Sequence, residues 1–159
     1  MVRSPLFFLA FFSSLGWSAN GISAQVGTVL QHHRIGALEG GFGGVLEEYD
    51  YFGYKVAALG DLNGDGTSEL AVSLPYNEAV WILFLGTDGR VIDQTRISYT
   101  FGQQPQDLAC LGDLDGDGIT ELAVGIDTYL GPSEVDIHFL RADGSVRATH
   151  VIAASDPMF

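Results

Sequence analysis

A nine-residue acidic segment occurs twice in this chain, and it constrains the fold more than any other feature. Asp61-Leu62-Asn63-Gly64-Asp65-Gly66-Thr67-Ser68-Glu69 returns 52 residues later as Asp113-Leu114-Asp115-Gly116-Asp117-Gly118-Ile119-Thr120-Glu121. Each copy follows an apolar run ending Leu-Gly, and each continues into Leu-Ala-Val. Oxygen-bearing side chains stand at positions 1, 3, 5 and 9, with Gly at position 6. A hard divalent cation such as calcium takes about six to eight oxygens, which a tight loop presents from alternate positions. The Gly at position 6 permits the sharp turn, because without a Cβ it adopts positive φ. Position 7 needs only its carbonyl, so Thr67 and Ile119 differ without consequence. A pair of acidic turns that never hold metal is the bland alternative; it leaves the mutual repulsion of close carboxylates uncompensated.

An EF-hand or dockerin loop would close on an acidic residue at position 12 and lie between helices. Position 12 is Val72 in one copy and Val124 in the other, within runs that lack a helical apolar stripe. The loops are therefore expected between strands, and an EF-hand is set aside.

The first 24 residues have the composition of a secretory signal peptide. Arg3 is the basic start, Pro5 to Trp17 the apolar stretch, and Ile22-Ser23-Ala24 a cleavage site. That stretch is shorter than the roughly 20 residues of a membrane span, although an uncleaved anchor is the alternative. With residues 1–24 go one basic residue and no acid, leaving 20 acids against 6 Lys/Arg, formally −14. A balance this acidic argues against nucleic acid, where a basic face supplies affinity. The expected product is secreted or held at the cell surface, with no later membrane span. Cys110 is the single cysteine, so no internal disulfide forms; its place in an apolar run predicts a small buried residue.

Repetition extends beyond the loops. Strands are expected at Gly27–Ile35, Phe52–Leu62, Glu69–Leu74, Ala79–Leu85 and Val91–Ser98. A second set follows at Asp107–Leu114, Glu121–Ile126, Glu134–Leu140 and Val146–Ala153. Asp88-Gly89 and Asp143-Gly144 mark hairpin turns. The offset between copies grows from 52 to 55 after the second strand, which places an insertion near Asp127–Ser133. Roughly 50 residues per four-stranded antiparallel unit is the size of a propeller blade.

These residues carry a family resemblance. Phe52-Gly53, the acidic loop, Leu70-Ala71-Val72 and the hairpin at Leu85…Asp88-Gly89 resemble FG-GAP repeats, which build the β-propeller of integrin alpha chains and of secreted bacterial proteins. The match is close from about Arg34 to Ser98 and looser to Ile152. The resemblance implies an all-β fold: two four-stranded antiparallel propeller blades plus one extra N-terminal strand. With the signal-peptide reading, this divides the chain into signal peptide 1–24, strand and Gly-rich loop 25–50, first blade 51–98, degenerate second blade 99–153 and tail 154–159. It also implies two calcium ions, one held by Asp61, Asn63, Asp65, the Thr67 carbonyl and Glu69, the other by Asp113, Asp115, Asp117, the Ile119 carbonyl and Glu121. With four carboxylates against three, the second loop is expected to bind more tightly.

Departures shape the remaining expectations. The second unit has Gln104-Pro105 where Phe52-Gly53 stands. Two blades cannot close a ring, so either the sequence is a piece of a longer chain with further blades or chains self-associate. Val80 to Leu85 is apolar on both faces, whereas Asp136 and His138 make one face of Glu134–Leu140 polar; that face is expected to lack apolar cover, as an end cap would. His32 and His33 point to opposite faces of a strand and, like His150, are expected to be solvated. Glu47, Glu48 and Asp50 are expected to solvate a loop, and Trp81, Phe84 and Phe139 to be core. No hydrolase, zinc or triad motif is present, so the chain is expected to be non-enzymatic. The expected role is a calcium-binding module for adhesion or recognition of an extracellular protein or polysaccharide. The alternatives are an accessory domain of a polysaccharide-degrading enzyme and a self-assembling structural subunit.

Overall fold

The structure, a computed structural model, describes residue 29 and residues 32–153. The expected signal peptide and tail lie outside the described residues. Both sheets, both acidic loops and the Gly-rich segment belong to the unit that begins at His33.

Eight strands follow in order: β1 Val56–Gly60, β2 Glu69–Leu74, β3 Ala79–Leu85, β4 Val91–Ser98, β5 Gln103–Gly112, β6 Glu121–Thr128, β7 Glu134–Leu140 and β8 Val146–Ala153. They make two antiparallel sheets, β1-β2-β3-β4 and β5-β6-β7-β8, each an up-and-down meander of blade size. Residues 75–77 add a single 3-10 turn between β2 and β3. Five of the expected strands occupy their expected residues; β1 starts later than Phe52, and β5 starts earlier than Asp107. Pro105 fits within β5 because that strand is a sheet edge with a register shift between Pro105 and Asp107, where a missing N–H removes no ladder bond. The extra strand expected at Gly27–Ile35 lies partly outside the described residues; residues 32–35 join no ladder, and Gly36 makes an isolated bridge to Glu39.

Alternation along the strands decides the packing. One face of the first sheet contributes Leu59, Ala71, Val80, Ile82, Phe84 and Ile97, which pack with Leu122, Val124, Ile126 and Leu140 of the second sheet. The opposite face, Val72, Leu83 and Trp81 among it, is covered by Ile35, Phe42, Leu46 and Phe52 from the segment before β1. Phe42 sits edge-on to Trp81 with ring centres 5.2 Å apart. Asp50 is buried and caps a turn there, its Oδ2 accepting the Glu47 N–H at 2.7 Å, so it does more than solvate the loop.

Two expectations are corrected. Asp136 and His138 are both buried, on the face of the second sheet that packs against the first. The end-cap reading fails, because apolar cover comes from the preceding sheet. His138 is accommodated by hydrogen bonds at both ring nitrogens, Nε2 to Tyr99 Oη at 2.7 Å and Nδ1 to Thr149 Oγ1 at 2.9 Å. Cys110 is exposed rather than buried, its Sγ 2.9 Å from Thr120 Oγ1, because the loop end of β5 is open to solvent. Trp81 and Phe84 do enter the core clusters, while Phe139 is half-buried.

Candidate metal loops

Each acidic segment links the first and second strands of its sheet, β1 to β2 and β5 to β6, as expected of a strand-flanked loop. The register around each is the same: Gly60 opposes Glu69, and Gly112 opposes Glu121, each after a bulge. Position 1 organises the turn. Asp61 Oδ1 accepts the N–H groups of Gly64 at 2.8 Å and Asp65 at 2.9 Å, and Oδ2 accepts that of Gly66 at 2.9 Å. Asp113 does the same with Gly116, Asp117 and Gly118 at 2.7, 3.1 and 2.9 Å. Asp65 Oδ1 takes the Thr67 N–H at 2.8 Å, and Asp117 Oδ1 takes that of Ile119 at 2.9 Å. The amides thus hold the carboxylates in place: Oδ1 of Asp61 and of Asp113 accepts two N–H groups, while Oδ2 of each accepts one and keeps a second lone pair.

Position 9 is where the loops depart from ordinary acidic turns. Glu69 and Glu121 are each 0% exposed. One oxygen of each is satisfied, Glu69 Oε2 by the Leu62 N–H at 2.7 Å and Glu121 Oε2 by the Leu114 N–H at 2.6 Å. The other, Oε1 in both, is buried with no hydrogen-bond partner. A buried carboxylate oxygen left unpaired is costly. Burial raises the Glu69 carboxyl, and the nearby charges of Asp65 and Asp61 push it further up. Asp65 itself is held low, chiefly by the Asn63 side chain and the Thr67 amide.

The structure brings carboxylate oxygens of Asp113, Asp115 and Asp117 within 4.8 Å of one another. Among the described residues no other such group of acids, histidines or cysteines forms, so His33 and His150 join none. In the first loop Asn63 replaces the middle acid, its Oδ1 accepting the Asp65 N–H and its Nδ2 donating to Asp65 Oδ2, both at 2.9 Å.

A family description of FG-GAP-like repeats matches residues 57–124. This stretch is therefore similar to an FG-GAP repeat. The matched stretch runs from β1 through the first half of β6 and contains both acidic loops. The chain also resembles integrin alpha-5 of Xenopus laevis, 34% identical over 100 residues, covering 54% of this chain and 10% of that relative. The chain thus spans about a tenth of the length of that relative. Among the described residues no helix is long and apolar enough to cross a membrane.

The matched stretch contains participants that spacing alone did not single out. Gly60 and Gly64, with Gly112 and Gly116, hold φ between 73° and 81°, so positions 4 and −1 need positive φ as much as position 6 does. Their recurrence in both copies was the available signal. Arg147 carried no such signal. It lies outside the FG-GAP match, yet its Nη2 contacts Asp115 Oδ2 and lies 3.3 Å from Asp117 Oδ2.

Proposed function

We propose that this chain is a calcium-stabilised, non-enzymatic recognition module of the extracellular space, with one ion in each acidic loop. The observation that carries the reading is the unpaired, buried Oε1 of Glu69 and of Glu121, each at the end of a loop whose first carboxylate is aimed by backbone amides. Asp61, Asn63, Asp65, the Thr67 carbonyl and Glu69 would hold one ion; Asp113, Asp115, Asp117, the Ile119 carbonyl and Glu121 would hold the other. An ion supplies the missing partner of Oε1 and offsets carboxylate repulsion. Because only the folded loop offers this geometry, binding adds to folding stability.

Adhesion and surface location follow the resemblance to integrin alpha. The sheet ends opposite the loops offer a surface for an extracellular protein or polysaccharide, since exposed Tyr51, Tyr76, Phe101 and Tyr129 cluster on the connections there. Tyr51 and Tyr76 pack against each other with tilted rings, centres 5.0 Å apart. The non-enzymatic reading is supported by His138, whose two ring nitrogens are both engaged, leaving none to serve a substrate.

Thermal unfolding with and without calcium, joined to titration calorimetry, tests the reading. At about 10 mM calcium, sites of about 10⁻⁴–10⁻³ M affinity each add about 1.4–2.7 kcal/mol. Glu69→Gln and Glu121→Gln should each abolish one site. A melting temperature unchanged by calcium would refute the proposal.

A further inference from the structure

We propose that Arg147 is a resident cation of the second loop, which calcium must displace, so that this loop binds no more tightly than the first despite its extra carboxylate. The inference rests on the calcium reading above. Asp115 Oδ1 accepts the Asp117 N–H, and Asp117 Oδ1 accepts the Ile119 N–H. The remaining oxygens, Oδ2 of each, are those that Arg147 Nη2 contacts. The guanidinium therefore sits on the oxygens the loop's own amides leave open to an ion. Its other side lies over the Phe139 ring, 5.8 Å from the centre. Arg147 is the second residue of β8 and stands at its bulge, between Val146, which pairs with Leu140, and Ala148, which pairs with Phe139.

The first loop has no such device. Strands β4 and β8 correspond at an offset of 55, which puts Ile92 where Arg147 stands, and Ile92 is exposed. Among the described residues no Lys or Arg pairs with Asp61, Asp65 or Glu69. There Asp65 Oδ2 is met by the neutral Asn63 amide instead. Arg147 reduces the formal charge of the second loop from −4 to −3, which equals that of the first. Counting carboxylates therefore overstates the second loop's affinity. The buried, unpaired Glu121 Oε1 is not reached by the guanidinium, so Arg147 meets the exposed half of the loop's demand and leaves the buried half to the ion.

Two linked effects follow. Without calcium, Arg147 holds the second loop together while the first has only its own amides. With calcium, the guanidinium is released and the start of β8 loses that tie.

The full chain tests this by NMR, because the Gly66 and Gly118 amides report the two loops separately in one calcium titration. In Arg147→Met the Gly118 midpoint should move to roughly ten-fold lower calcium while the Gly66 midpoint stays, since a positive charge has left one site only. The same variant, in chelator, should melt below wild type. The Arg147 Nε–H signal of wild type should shift in step with Gly118. An unmoved or weakened Gly118 midpoint overturns the proposal. So does tightening with no loss of chelator stability and a static Nε–H signal, which would mean simple long-range repulsion. Loss of any calcium response at both glycines would instead sink the calcium reading, and this inference with it.

Discussion

At the scale of single residues, two buried groups between the sheets hold their protons in opposite ways. Burial raises the Asp136 carboxyl to about 6, with Glu134 adding to the rise. Burial lowers His138 to about 4. The folded form therefore resists protonating His138 where the unfolded chain would accept it, and stability falls as pH drops from about 6.5 toward 4. Asp136 works the other way: the folded form keeps a proton the unfolded chain releases, so its contribution is present at low pH and lost as pH rises from 3.8 to about 6. Each effect reaches at most about 3 kcal/mol, and over most of the same window they oppose. Relative to wild type, Asp136→Asn should make stability climb with pH between 4 and 6.5, and His138→Gln should make it decline between 4 and 6. Urea denaturation across pH measures both slopes; slopes of the same sign in the two variants would contradict this account. Neither burial was legible in the sequence. Alternation showed that Asp136 and His138 share a face, but not that Tyr99 would come from another strand connection to meet His138.

At the scale of elements, the strand–loop–strand unit was the most legible part of the molecule. Period-2 patterning and the recurring Asp-Gly pairs located β2, β3, β4, β7 and β8 at their observed limits. The limits of β1 and β5 were not legible, because apolar residues before Val56 fold over the first sheet instead of entering it, and β5 continues upstream through a proline. Within the loops, glycine is required for backbone reasons. A Cβ at Gly64 or Gly116 would meet nothing within 4 Å, yet both residues hold φ near +80°. Gly64→Ala and Gly116→Ala should each lose about 1–2 kcal/mol in chelator, the cost of placing an L-residue in the left-handed region. Asn at either position should recover part of it, since Asn tolerates that region. Equal stability of the Ala variants and wild type would show that the loops relax into another turn.

At the scale of the whole molecule, the two repeats stand in unequal surroundings. The face of the first sheet bearing Leu59 and Val80, together with Leu62 of the loop, is covered by the second sheet; these residues are 3%, 0% and 5% exposed. Their counterparts Leu111, Val135 and Leu114 are 38%, 39% and 55% exposed. Identical side chains at equivalent places should therefore respond differently to truncation. Leu62→Ala should cost about 2–5 kcal/mol, as a cavity in a packed core does, and Leu114→Ala about 0.5 kcal/mol or less. Equilibrium unfolding of the two variants measures the contrast; similar losses would mean the second face is covered in solution, as by self-association.

The sequence by itself determined most of the strands, the hairpin turns and the place of both acidic segments between strands, because these depend on local rules: alternation and turn residues along a few peptide units. Tertiary structure alone decided which copy of a repeated residue is buried, where Asp136 and His138 find cover, and that Arg147 reaches the second loop. Those outcomes depend on what packs against a face, and a repeat pattern is the same whether a neighbour stands beside it or water does.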